Sequence, residues 1–344
     1  MNAYRRVMNT LQGLSVDRVP VFSVLGAYGA KLTKNSLQNL YSDAGAWVSG
    51  QQAVQETFGF DMILATFDYS AVAEAFGGEV AWFANQPPNL KRPLTTKPLD
   101  ALKMPLPDPH HTRRLPEILS ATRQLATRYR EEVPLFAAIP GPGALPGLVL
   151  GLEAWMETLL FDEPVARQLL EYTGQFFVNW ANALLEAGVT ALVVTESFAS
   201  AEITSRNLFA ERLLPHVRAM FGLVKGPMVF HHGGGRILQI LDLLPGLPGL
   251  VGVVVSSKDD LTKARGLIGP DLALLGNLDN LSLPEASSEE IHAQSLRCLQ
   301  AAAPSGRYIL SHSAADVPIT TPPRNLLTMI AASEAYAAGQ KNRL

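Results

Sequence analysis

Residues 227–236 read PMVFHHGGGR. An apolar run ends on two imidazoles, His231 and His232, and three glycines follow before the helical pattern of RILQILDLL. Imidazoles at the end of a buried strand suit metal ligation or proton transfer near neutral pH. The glycines either bring a ligand close to backbone amides at a helix start or only permit a tight turn. GGG is not a phosphate fingerprint. Successive residues of a strand face opposite sides, so His231 and His232 cannot both point into one cavity.

Other reactive groups also stand where apolar runs end. Asp68 and Tyr69 follow DMILAT, and Glu196 and Ser197 close ALVVT. Ser256, Ser257 and Lys258 end VGVVV, Asn277 and Asp279 end LALLG, and His312 and Ser313 end YILS with Asp316 just beyond. A carboxyl group and two imidazoles gathered this way are an acid/base set. Glu196, His231 and His312 are therefore the catalytic candidates, and His231 with His312 the candidate metal ligands. Asp68, Tyr69, Ser197 and His232 are candidate substrate contacts, together with Gly233, Gly234 and Asn277. Each has a structural alternative. Glu196 can hold loop amides, Asn277 and Asp279 can make the turn of GNLDN, and one histidine of the pair can pack behind its strand. His110 and His111 lie in a Pro-rich stretch, His216 in mid-helix and His292 on a charged helix face; none is given a role.

The elements that position these groups are short and apolar. Eight runs read as buried strands: 19–22, 61–66, 135–140, 191–196, 228–232, 251–256, 272–277 and 308–312. Most are continuous rather than alternating, as parallel strands covered on both faces require. Helical patterns separate most of them, so the expected fold is α/β, a (β/α)8 TIM barrel occupying residues 1–344 as a single domain. It has an N-terminal helical extension and a long connection between the second and third strands, with the Pro-rich stretch 85–111 read as a loop. In such barrels the chemistry sits at the C-terminal ends of the strands, where the polar groups above fall.

Composition narrows the function. The 344 residues are 47% hydrophobic and carry a net charge of −3, which gives neither a nucleic-acid footprint nor a basic membrane patch. Cys298 is the only cysteine, so neither a disulfide framework nor a cysteine-built zinc site is available within the chain. The first residues lack the apolar stretch of a secretory signal, and no 18-residue apolar run is present. A soluble, cytoplasmic protein is expected.

Several segments together resemble the uroporphyrinogen decarboxylase superfamily, in particular its methylcobamide:coenzyme M methyltransferases and related corrinoid-linked demethylating enzymes. They are RVMNTLQGLSVDRVPV at 6–21, AEAFGGEV at 73–80, IPGPGALPGLVLGLEAWMETLLFDEP at 139–164, the stretch 186–218, VFHHGGG at 229–235, LLGNLD at 274–279 and the stretch 309–330. The resemblance spans nearly the whole chain and implies a TIM barrel. It also implies a cobalamin or other corrinoid as methyl carrier, a corrinoid protein or free cobamide as partner, a small methylated molecule and a homodimer. The decarboxylase branch holds its porphyrinogen carboxylates with an arginine-bearing segment after the first strand; here that segment is VFSVLGAYGAKL, without arginine. The methyltransferase branch carries a thiol-activating zinc on His-x-Cys and a distant Cys. Those positions fall on His231, Gly233 and Ala315, so both thiolates are missing and no Cys-ligated zinc is expected. The reading is a corrinoid-dependent methyltransferase that works at the leaving group. The alternatives are a metal-free relative that binds a tetrapyrrole or small molecule without turnover, and a lyase or decarboxylase on a smaller acid.

Overall fold

The computed structural model describes residues 1–313 and 316–341. Among them lie nine strands: β1 (Ile63–Phe67), β2 (Glu79–Ala81), β3 (Asn89–Arg92), β4 (Leu135–Pro140), β5 (Ala191–Thr195), β6 (Met228–His231), β7 (Leu250–Val254), β8 (Ala273–Leu278) and β9 (Tyr308–His312). Seven form one parallel sheet in the order β1-β4-β5-β6-β7-β8-β9. β4 shows why its sequence is uniformly apolar: all six residues are buried, because helices cover one face and the barrel interior the other.

The expected first strand, 19–22, is reduced to one bridge, Val21 against Leu310. It still closes the ring. Phe22 N donates to Leu310 O and Leu310 N to Pro20 O, while Asp61 N, just before β1, donates to Val21 O. Pro20 has no N–H to extend the ladder, which limits the stave to this short contact. Closure covers the edges of β1 and β9 that would otherwise expose unpaired backbone. The chain adopts a TIM-barrel fold.

Helices Ala44–Phe58, Leu115–Arg128, Glu163–Glu186, Leu214–Phe221, Leu261–Ile268, Ser288–Ala302 and Pro323–Lys341 follow or separate the strands. Local chemistry fixes their starts. Asp43 accepts the Ala46 amide, and Ser287 and Glu290 form a reciprocal capping box. Before Leu214 the helix widens into one π-turn, Phe209–Leu213. Pro215 cannot donate to the carbonyl four residues back, so the ladder must rearrange there.

Two expectations are corrected. The Pro-rich stretch 85–111 is not all loop: β3 pairs antiparallel with β2, held on the surface by Glu79 with Lys91 and Arg92, and a helical turn spans Pro98–Ala101. The helical pattern after the glycines forms only a short 3₁₀ segment, Leu238–Leu243. The N-terminal extension is the helix Ala3–Gln12, capped by Asn2 and ended by Gly13 in the left-handed region. Arg6 on that helix bonds Asp17 and the buried Asp61, and Arg18 bonds Asp61 as well, at 2.6 Å in each pair. This network ties the extension to the barrel just ahead of β1. No helix among the described residues is long and apolar enough to cross a membrane.

Candidate functional site

A cavity of about 310 Å³ occupies the barrel interior and opens at the C-terminal strand ends. Its inner wall is apolar: Phe22, Met62, Phe136, Val254 and Leu275 also belong to the cluster that fills the barrel. Its outer wall carries polar groups, Tyr69, Thr195, Ser197, His231, Ser311 and His312. The layout follows from strand alternation. On β5, Val193 and Thr195 face the cavity, so Val194 and Glu196 face away from it.

His231 and His312 line the same cavity, from β6 and β9, with β7 and β8 between them. Nδ1 of His231 accepts the Gly233 amide at 2.9 Å. Nε2 of His312 accepts the Val24 amide at 2.7 Å. A ring nitrogen that accepts an N–H uses its lone pair, so each neutral ring carries its proton on the other nitrogen: Nε2 in His231, Nδ1 in His312. Each ring thereby has one N–H to donate.

His232 stacks on His231, with centroids 4.9 Å apart and planes 16° apart, but lies behind the wall and is fully buried. Its Nδ1 accepts the Gly234 amide, and burial pushes its pKa down to about 4, so it stays neutral. Two of the three glycine amides are thus spent on the histidine rings, and the triglycine is not a free anion nest. A Cβ at Gly233 would come within 2.6 Å of Ser197 Oγ, and one at Gly235 within 1.8 Å of Ser200 Oγ. Those two glycines serve packing. Gly234, at φ +120°, meets nothing within 4 Å on its Cβ side and leaves that part of the rim bare.

Glu196 does not share the cavity, which corrects the expected common site. Its carboxyl is fully buried against the loop after β4. Oε2 accepts the Gly143 amide at 2.8 Å, and a Cβ at Gly141 or Gly143 would fall within 2.6 or 2.9 Å of its oxygens. Burial pushes its pKa up to about 8, opposed by the amides of Gly143, Phe198 and Ala144. At neutral pH it is a protonated acid that shapes a loop, in keeping with the structural alternative above.

Tyr69 and Ser197 line the cavity, and the Tyr69 hydroxyl donates to Thr195 Oγ1. Asp68 faces elsewhere: it caps the helix Tyr69–Ala75 and pairs with Arg114. Asn277 also turns away, donating to the carbonyls of Ser256 and Asp259 at 2.8 and 2.9 Å. Asp316 clamps the segment after Val24 by accepting the amides of Gly26 and Ala27, with burial raising its pKa to about 7. Thr195, Ser311 and the aromatic wall were not anticipated. No sequence signal distinguishes an apolar residue that lines a void from one that fills a core.

The donor set does not fit a thiolate–zinc site. Gly233 carries no ligating atom, and Ala315, the other position of the pattern, lies outside the described residues and has no donor side chain by sequence. Among the described residues no three His, Cys, Asp or Glu side chains are grouped so as to hold an ion.

Comparison with known proteins adds a family. The model describing uroporphyrinogen decarboxylase matches residues 2–336. The methylcobamide:CoM methyltransferase MtaA of Methanosarcina barkeri is 24% identical over 346 residues, covering 97% of this chain and 98% of that protein. A uroporphyrinogen decarboxylase of Azoarcus sp. is 27% identical over 290 residues, covering 79% and 77%. Among solved structures, a methyltransferase from Methanosarcina mazei superposes with a TM-score of 0.87 over 98% of this chain and 99% of that one, at 20% identity.

Proposed function

The chain belongs to the uroporphyrinogen decarboxylase family, and on that premise we propose that it is a corrinoid-linked methyltransferase rather than a decarboxylase. The observation that carries this reading is the composition of the cavity wall. Among the described residues no arginine or lysine lines it, so a substrate with several carboxylates would find no cationic partner for any of them. The whole-length similarity to methylcobamide:CoM methyltransferases supports methyl transfer as the alternative within the family.

A corrinoid bound at the mouth would supply the metal that takes up or gives back the methyl group. The bare rim at Gly234 suits the approach of a flat macrocycle, whether it comes as free cobamide or on a corrinoid protein. The chain's own groups then do three things. The aromatic and aliphatic inner wall binds the small molecule and excludes water. Tyr69, fixed on Thr195, and Ser197 orient its polar end. His231, with its proton on Nε2, donates a hydrogen bond to the departing atom and so stabilises the charge that builds there, and His312 on β9 donates from Nδ1 elsewhere on the cavity wall. Glu196 takes no part in the chemistry; it supports the loop after β4.

The test is single-turnover methyl transfer to reduced cobalamin from a panel of methylated small molecules, comparing wild type with variants. His231→Ala is expected to slow transfer by about 10²–10³, the usual worth of one positioned hydrogen-bond donor, while Glu196→Gln stays within a few-fold of wild type. Equal rates for wild type and His231→Ala would remove His231 from the mechanism.

A further inference from the structure

The cavity's walls say what kind of molecule it holds. Among the described residues no Asp, Glu, Lys or Arg lines it, and the two residues that follow Ser313 in the sequence, Ala314 and Ala315, are uncharged. Three carboxyl groups on the surrounding loops are committed elsewhere. Asp68 pairs with Arg114, Asp316 takes the amides of Gly26 and Ala27, and Glu202 takes Ser200 Oγ and Lys258 Nζ. An anionic or cationic ligand would lose its water here without gaining a counter-ion, which strongly opposes binding.

The shape of the wall is equally specific. Phe22, Met62, Phe67 and Phe136 present flat or polarizable surface, and Val254 and Leu275 add aliphatic surface. All hydrogen-bonding groups stand at the outer end, His231 and His312 closing β6 and β9. A dry apolar cavity of about 150 Å³ is enough to take benzene. This one, at about 310 Å³, has room for one aromatic ring with substituents.

We infer that the cavity is a site for an uncharged single-ring aromatic molecule, bound with its ring against the inner wall and one polar substituent directed outward to the histidines. That this molecule is the methyl donor, as an aryl methyl ether, rests on the function proposed above; the ligand class rests on the wall alone.

The experiment measures binding, without corrinoid, by calorimetry and ligand-observed NMR at neutral pH. The probes share one ring: methoxybenzene, 4-methoxybenzoate and 4-methoxybenzylammonium. Wild type is expected to bind methoxybenzene at least tenfold more tightly than either charged probe. Ala138→Phe, which fills the cavity from β4, is expected to abolish that binding while still melting cooperatively. Val193→Phe fills it from β5 and serves if Ala138→Phe does not fold; if neither folds, the neutral-over-charged preference of wild type decides. No binding of methoxybenzene, equal or tighter binding of a charged probe, or full binding by a folded filled variant would overturn the inference. If methoxybenzene binds as expected but no donor methylates cobalamin, the proposed function fails and the ligand class stands. If a charged donor methylates cobalamin while methoxybenzene does not bind, the reverse holds.

Discussion

Replacing Glu196 by Gln should change how stability depends on pH while leaving the fold intact. Glu196 is fully buried, and its pKa is raised by burial from 4.5 to about 8. A group whose pKa is raised on folding contributes fully below its unfolded value and loses that contribution as pH climbs through its folded value. The window is therefore pH 4.5 to 8, and stability falls as pH rises across it. At about 1.4 kcal/mol for each tenfold change in ionisation, the loss is on the order of 4–5 kcal/mol as an upper bound. Gln cannot ionise. Its carbonyl can keep the Gly143 amide, and its amide group takes the place of the acid's O–H. Denaturant unfolding of both proteins at pH 5, 6.5, 7.5 and 8.5 should give similar stabilities at pH 5. Between pH 6.5 and 8.5 the variant should become the more stable one by several kcal/mol. Asp316 titrates in part of the same window, with its pKa near 7, but is common to both proteins and cancels in the difference. His232 and His216, both lowered to about 4 by burial, act in the opposite direction: their contribution is lost as pH falls from 6.5 towards 4. A wild-type-minus-variant difference that stays flat from pH 5 to 8.5 would refute the assignment of Glu196 as a buried neutral acid.

Two further substitutions test the frame around the site. Arg6→Met breaks a buried pair with Asp61 at 2.6 Å; since Arg18 keeps its own bond to Asp61, the cost should be below the about 3–5 kcal/mol of a fully orphaned buried charge, and a stability equal to wild type would show the network to be dispensable. Gly235→Ala puts a Cβ within 1.8 Å of Ser200 Oγ and 2.2 Å of Glu202 Oε2, so it should destabilise by about 1–3 kcal/mol, read as a lowered denaturation midpoint; an unchanged midpoint would show that the loop gives way freely.

The barrel was legible in the sequence because parallel strands buried on both faces are continuous apolar runs, and LFAAIP at β4 is such a run with every residue buried. The same property hid which side chains face inward. In ALVVTE both parities are apolar, so nothing in the pattern said that Thr195 points into the cavity and Glu196 away from it. At His231 and His232 the opposition of neighbours was itself enough to expect one inside and one behind. Asp68 read as a strand-end ligand because its partner, Arg114, is 46 residues away and reaches it only through the fold. The triglycine read either as amides offered to a ligand or as a tight turn, and nothing in the sequence showed that the preceding imidazoles take two of those amides through contacts two residues long. The long insert before β4 concealed β3 because its residues, Asn-Leu-Lys-Arg, are mostly exposed and carry no strand periodicity.

The most direct test of the account follows the methyl group itself. Methoxybenzene and other neutral methyl donors, each carrying a ¹³C-labelled methyl, are incubated with the protein and reduced cobalamin, and the cobalamin is examined by mass spectrometry and visible absorption. The account predicts labelled methylcobalamin from at least one neutral donor, dependent on protein and slowed by His231→Ala. No label on cobalamin above the protein-free control across the whole panel would contradict it.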